Sequence, residues 1–173
     1  VGLAVNLSSI QVNHTSIVNV VKSALAESGL APQRLELEIT ETALLSDTDQ
    51  TLDQLNQLKA LGVRLSMDDF GTGYSSLSYL TTFPLDGMKI DKQFIAKYSM
   101  QSENAAIMHA MVDLAKALNQ CSTIEGIETY EQLRAARALG ATFVQGYYLS
   151  PPHPSAGVPA VIKRAEQTTF DTP

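Results

Sequence analysis

Hydrophobic positions along this chain follow two alternating periods, and that alternation predicts its layout. Short apolar or alternating runs fall at Gly2-Asn6, Leu35-Thr40, Val63-Asp68, Gly87-Asp91, Ser122-Gly126 and Thr142-Tyr148. Each has strand length and is bounded by polar residues or glycine, which predicts six β-strands. Longer amphipathic stretches lie between them. Over 16–28, Ile17, Val21 and Leu25 recur every fourth residue, and Gly29 follows as a C-terminal stop. Over 49–61, Leu52, Leu55, Leu58 and Leu61 recur every third residue, and Gly62 ends the run. Over 103–119, Ile107, Met111, Leu114 and Leu118 hold helical spacing, with Met108 and Ala115 widening the stripe. Thr129 with Gln132 predicts a capping box for a helix over 129–139, closed by Gly140. Shorter helical pieces are expected from Ser75 to Thr82, stopped before Pro84, and from Val158 to Gln167.

Strand and helix therefore alternate about five times and end on a sixth strand, which predicts an α/β fold with a parallel sheet. The helix-to-strand junction recurs, since Ala60-Leu61-Gly62-Val63 resembles Ala138-Leu139-Gly140-Ala141. Such a sheet either stays open and doubly wound or closes into a barrel. A full eight-stranded barrel takes about 250 residues, so six strands in 173 residues make an incomplete one. The strand ends separate the two. They carry, in order, Asn6, Glu38, Asp68 with Asp69, Lys89 with Asp91, Glu125, and Gln145. In a barrel all carboxyl ends meet at one face, and that face holds the active site. In an open sheet only the ends near the switch point need such residues. One polar residue at a strand end is ordinary because the end borders solvent. Six strands out of six favour the barrel.

Composition narrows the function. Lys and Arg number 12 against 18 Asp and Glu, a net charge of −6, which argues against a nonspecific DNA, RNA or membrane-surface binder. Hydrophobic residues at 45% and charged ones at 17% fit a globular chain, not a disordered one. The single Cys121 cannot form an internal disulfide, so a reducing compartment is expected. No apolar stretch approaches the roughly 20 residues of a membrane span. The chain opens without Met on the apolar run Val1 to Leu7, and we expect a piece of something longer.

Glu38, Asp68, Asp69 and Glu125 brought to one face repel one another, which raises their pKa values unless cations neutralise them. Oxygen donors without paired Cys or His select Mg²⁺ or Mn²⁺ over Zn²⁺. His14, His109 and His153 lie in helical or loop segments, away from the strand ends. Adjacent carboxylates such as Asp68-Asp69 can serve two cations, an arrangement suited to in-line attack on a phosphate ester.

The local motifs are weaker. Asp69-Phe70-Gly71 lacks the other kinase signatures. Gly71-Thr72-Gly73 is no dinucleotide fingerprint, because Ser76 stands where the third glycine belongs; by spacing alone it is a turn. Lys89 at a strand end could form a Schiff base as in some barrel aldolases, but pairing with Asp91 or Asp69, or with a phosphate, is favoured in such acidic company. Glu125-Gly126-Ile127-Glu128 alone could be a helix start that favours carboxylates. Cys121 reads as a small buried residue, and Met100, Met108 and Met111 as core filling.

Taken together, several stretches resemble the EAL domain, the cyclic di-GMP phosphodiesterase family. They are Val5-Asn6-Leu7-Ser8, Leu35-Glu36-Leu37-Glu38-Ile39-Thr40-Glu41, and Met67-Asp68-Asp69-Phe70-Gly71-Thr72-Gly73-Tyr74-Ser75-Ser76-Leu77. Met88-Lys89-Ile90-Asp91, Glu125-Gly126-Ile127-Glu128-Thr129 and Val144-Gln145-Gly146-Tyr147-Tyr148 follow in family order. The resemblance covers about residues 2–152, giving a domain over 1–152 and a C-terminal helix and tail over 153–173.

The resemblance implies a modified (β/α)8 TIM-type barrel, here incomplete at its N-terminal side, that hydrolyses one phosphodiester of cyclic di-GMP to linear pGpG. It implies two cations, Mg²⁺ or Mn²⁺. Asn6, Glu38 and Asp68 would bind the first, and Asp68 with Asp69 the second. Lys89 would orient the attacking water or a phosphate oxygen, and Glu125 would be the general base or a ligand to the second metal. Gln145 and Asp91 would hold a metal-bound water or the substrate. Glu41 and Glu128 would brace the loop from Phe70 to Ser76, with Gly71, Thr72 and Gly73 in it, which in this family links dimer contacts to the site. A homodimer is expected on that ground, as are upstream diguanylate cyclase (GGDEF), sensory or membrane segments in the parent protein, and cytoplasmic placement of the domain.

Two departures stand out. No Glu-Ala-Leu tripeptide precedes Asn6, so the family's first strand and its metal-binding Glu fall outside this chain. Ser122-Thr123-Ile124 replaces a Val-Val-Ala-like run, and the bulk of Ile124 bears on where Glu125 sits. A noncatalytic receptor or protein-interaction module on a degenerate EAL domain is the alternative function. We predict that the 173 residues alone are weakly active or inactive while the parent domain is active. Parallel assays of cyclic di-GMP hydrolysis on this chain and on one extended upstream check this; equal rates would refute it.

Overall fold

The computed structural model describes residues 2–12, 16–44, 48–73, 77–98 and 103–167. Its strands are β1 (Leu3–Leu7), β2 (Leu35–Thr40), β3 (Arg64–Phe70), β4 (Gly87–Ile90), β5 (Cys121–Ile124) and β6 (Phe143–Val144). They form one sheet in the order β1-β2-β3-β4-β5-β6, and every neighbouring pair is parallel. Sequential order without reversal is the winding of a barrel, whereas a doubly wound sheet reverses at its switch point. The sheet curls into a half-barrel. Ala4, Glu38, Lys89 and Val144, from its two edges and its middle, line one pocket of about 400 Å³. The incomplete barrel expected from the strand ends is the fold observed.

The helices are α1 (Ser9–Val12), α2 (Ile17–Ser28), α3 (Glu41–Leu44), α4 (Thr48–Ala60), α5 (Leu77–Thr82), α6 (Lys92–Ala96), α7 (Glu103–Ala117), α8 (Tyr130–Leu139) and α9 (Val158–Gln167). Parallel crossovers of one hand carry the connecting helices to the outside of the curl. The period of two along each strand then sorts side chains. In β2, Leu35, Leu37 and Ile39 are buried in the core with Leu55 and Leu58 of α4, while Glu36 and Glu38 line the inner pocket. A second cluster joins Ile90 and Ile124 to Met108 and Val112 of α7 and Leu133 of α8. Met108 fills core as expected, and the capping box of Thr129 and Gln132 is formed. Gly29 and Gly140 end α2 and α8 in left-handed conformation, with φ of 65° and 76°.

At the amino ends of the strands, Asp86 ties three of them together. Its carboxylate accepts from the Leu65 amide at 2.8 Å and from Lys59 Nζ at 2.6 and 2.7 Å. Its own amide donates to the Leu65 carbonyl, and its carbonyl accepts from the Cys121 amide. This end of the barrel is held by structure-stabilising contacts, and the chemistry is left to the other end.

The structure departs from the sequence expectation in two places. The last strand, expected to run to Tyr148, stops at Val144. Beyond it the backbone pairs with the segment after β5: the Ile127 amide donates to the Gln145 carbonyl, and the Tyr148 amide donates to the Ile127 carbonyl. The short helices α1, α3 and α6 have four or five residues each, too few to display a helical period. The start of the helix expected from Ser75, together with His14, Met100 and the tail 168–173, lies outside the described residues.

Gly146 makes the clasp after β5 possible, because a Cβ there would stand 2.1 Å from the Ile127 carbonyl oxygen and 2.3 Å from its amide nitrogen. We predict that Gly146→Ala destabilises the fold by about 1–3 kcal/mol, read as a lower urea midpoint. An unchanged midpoint would show that the clasp is not needed.

Candidate active site at the carboxyl ends of the strands

Lys89 stands at the centre of the barrel mouth. Its Nζ lies 2.9 Å from Glu38 Oε2 of β2, 3.0 Å from Asp68 Oδ1 of β3 and 2.7 Å from Glu125 Oε1 just after β5. An ammonium has three donors, and three strands each supply one acceptor. The lysine side chain is 7% exposed and its partners 9%, 13% and 17%. Burial alone would pull the lysine pKa down, but the hydrogen bonds to Glu125, Glu38 and Asp68 together outweigh it and push the pKa up. A lysine held charged in this way is no nucleophile, which removes the Schiff-base reading.

The expected partners of Lys89 were Asp91 or Asp69, and the structure corrects this. Asp91 lies just past β4, where it is the N-cap of α6 and its Oδ1 accepts from the Gln93 amide. Lys89, two residues earlier and inside the strand, faces the pocket and meets the carboxylates across the curl.

Asp68 and Asp69 are neighbours in one strand and should face opposite ways. The register between β3 and β4 shifts between Met67 and Phe70, and Asp69 has a φ of 56°. A bulge re-aims side chains, and Asp is among the few residues that tolerate the left-handed region. As a result Asp68, Asp69 and Glu125 present oxygens that all lie within 4.8 Å of one another. Burial and crowding act together on two of these carboxyl groups. Burial, then the charges of Asp68 and Asp91, push the Asp69 pKa up, opposed by Lys89 and Lys92. Burial likewise pushes Glu125 up, against the hydrogen bond and charge of Lys89, with Asp68 and Glu38 adding repulsion. Oxygen-only donors at this spacing suit a hard divalent cation.

The other expected site residues fall as follows. Asn6 is opposite Glu38 in the β1–β2 register and is exposed. Gln145 directly follows β6, lines the inner pocket and is exposed. Ile124 points into the outer core and is fully buried, and Glu125 still reaches Lys89. Glu41 begins α3, buried, and a Cβ on Gly73 would lie 3.1 Å from its Oε1, so the turn after β3 rests on this carboxyl group. Thr72 Oγ1 donates to the Asp69 carbonyl at 2.9 Å. Gly71, at φ 92°, backs onto Phe94 and Met111 with no room for a Cβ. Glu128 is exposed ahead of α8, where its amide donates to Gln132. Residues 74–76 of the same loop are outside the described residues. Sequence reasoning missed Lys92, whose charge acts on Asp69; its signal was a lysine directly after a strand-end carboxylate.

The profile of the EAL domain matches residues 1–152. Among curated relatives, the bifunctional diguanylate cyclase/cyclic di-GMP phosphodiesterase MucR of Pseudomonas aeruginosa is 44% identical over 153 residues, covering 88% of this chain and 22% of MucR. The solved structure of the MucR phosphodiesterase in complex with c-di-GMP superposes with a TM-score of 0.87 at 43% identity, over 91% of this chain and 70% of that one. Klebsiella pneumoniae BlrP1, solved with manganese and c-di-GMP, gives a TM-score of 0.81 at 32% identity, over 87% of this chain and 39% of that one. The chain spans about a fifth of the length of the curated relatives it matches.

Removing Lys89 would leave three carboxylates uncompensated. We predict that Lys89→Met lowers the unfolding free energy at pH 8 by about 3 kcal/mol, measured by urea denaturation without added metal. A variant as stable as the parent would show that the ammonium does not hold the site together.

Proposed function

This chain belongs to the EAL domain family, and from that premise we propose that its domain hydrolyses one phosphodiester of cyclic di-GMP, releasing linear pGpG, with Mg²⁺ or Mn²⁺. The observation that carries the reading is the oxygen cluster of Asp68, Asp69 and Glu125 beside Lys89 at the barrel mouth. Asn6, Glu38 and Asp68 would hold one cation, and Asp68 with Asp69 a second. Cations bound there supply charge neutralisation at the phosphate and an easier deprotonation of water.

The side chains account for the rest. Linear pGpG carries its phosphate at the 5′ end, so the bond that breaks is P–O3′ and the bond that forms joins phosphorus to the water oxygen. Glu125, whose pKa burial raises, takes the proton of that water, since a carboxylate with a raised pKa is the better base near neutrality. Lys89, with its three donors held by Glu38, Asp68 and Glu125, orients the water through the Glu125 carboxylate it fixes and adds its positive charge beside the phosphate, and the departing O3′ takes up a proton from solvent. Gln145 and Asp91, at the ends of β6 and β4, position the water or the substrate. The turn at Gly71, Thr72 and Gly73, resting on Glu41, keeps Asp69 in its left-handed conformation. The domain works in the cytoplasm, where a nucleotide second messenger is made and degraded, and the parent protein carries further signalling segments.

Hydrolysis of cyclic di-GMP by the parent protein with Mg²⁺ or Mn²⁺, followed by chromatography, tests this. The expected product is linear pGpG, and Glu38→Ala or Glu125→Ala should lower the rate by at least about 100-fold. Binding without cleavage would replace the enzyme by a receptor. Neither binding nor cleavage would leave a protein-interaction module.

A further inference from the structure

Lys92 is the second cation of the barrel mouth, and the reaction described above gives it no part. It is exposed and opens α6, directly after the Asp91 cap. Among the described residues it enters no ion pair, unlike Lys89, which is saturated by three. Its stem is nevertheless fixed. Gly126, at φ 73° and next to Glu125, packs directly on it: a Cβ on Gly126 would stand 2.3 Å from Lys92 Cβ and 3.1 Å from its Cα. The same lysine lies close enough to Asp69 for its charge to act on that carboxyl group. Three strand ends thus converge on Lys92: β4 through its own backbone, β5 through Gly126 and β3 through Asp69.

A cation held there answers an electrostatic problem of the site. Glu38, Asp68, Asp69, Asp91 and Glu125 surround the mouth, and Lys89 is buried and fully committed. A cyclic dinucleotide brings two phosphodiesters, each with a negative charge, toward that acidic rim. The scissile one is met by whatever neutralises the carboxylates. The other has no counter-charge among these groups. An exposed, unpaired ammonium with an anchored stem supplies one.

Resting on the phosphodiesterase reading above, we propose that Lys92 is a substrate-binding residue that contacts the phosphodiester of the cyclic dinucleotide that is not being cut, at the rim formed by Asp91, Gly126 and Asp69. Binding energy spent on a part of the substrate that does not react appears in affinity, with little effect on turnover. Screening by salt also weakens such a contact, because it lies at the surface.

The test uses Lys92→Met, which keeps the stem packed on Gly126 and removes the charge, and Lys92→Arg, which keeps both. Both are made in the parent protein. Affinity for cyclic di-GMP is measured by calorimetry in Ca²⁺, an ion with which BlrP1 has been solved together with the dinucleotide. KM and kcat are measured separately in Mg²⁺ or Mn²⁺. Lys92→Met should weaken binding and raise KM by roughly three- to tenfold, with kcat within about twofold. The loss should shrink at high salt, and Lys92→Arg should restore affinity. Unchanged affinity in Lys92→Met, against a wild type that hydrolyses, overturns the assignment. So does a fall in kcat with affinity intact, which would mean that Lys92 acts through Asp69. A wild type that neither binds nor cleaves cyclic di-GMP overturns the phosphodiesterase reading and this inference with it.

Discussion

One buried ammonium organises the mouth of this barrel. Lys89 meets Glu38, Asp68 and Glu125 within 3.0 Å, and each of those carboxylates comes from a different strand or strand end. Taking charges out of water is costly, and the cost is offset only when geometry is good and every donor is satisfied. Three acceptors for three donors meet that condition. They also demand curvature: β2 and β5 are not neighbours, and their carboxylates reach one nitrogen only because the sheet rolls inward. The opposite end is held by Asp86, whose carboxylate pairs with Lys59 at a half-buried position and accepts from the Leu65 amide. The half-barrel is thus tied at both ends, with chemistry at one and packing at the other.

Around that ammonium, local backbone irregularity serves the site. A regular β3 would send Asp69 into the helical layer, and the register shift with a left-handed residue prevents it. Gly126 and Gly146 do comparable work nearby, admitting Lys92 and the Ile127 backbone to distances that no Cβ would tolerate. Each deviation costs local stability, and each lies within a few residues of a carboxylate or amide facing the mouth. Such deviations cluster where function needs them, in keeping with the polar strand ends.

Much of this was legible in the sequence. The six strands, the longer helices and the capping box at Thr129 were visible because burial on one face imposes a period. The barrel followed from polar residues at every strand end. What escaped was whatever depends on distance across the curl. Alternation says that Lys89 faces inward but does not say which carboxylates it meets, so Asp69 and Asp91 were favoured over Glu38, Asp68 and Glu125. The bulge at Asp69 leaves no mark in the pattern of hydrophobic residues. The early end of β6 is fixed by the Ile127 backbone, a contact between segments about 18 residues apart.

Convergence of these carboxylates sets oxygen donors for a divalent cation side by side at the barrel mouth. Titration of Mn²⁺ into the protein, followed by loss of the free-ion paramagnetic resonance signal, tests it most directly. The expected result is saturable binding that Asp68→Asn, with its fold retained, weakens at least about tenfold. Saturable binding untouched by that substitution, or no binding in the parent protein, would contradict it.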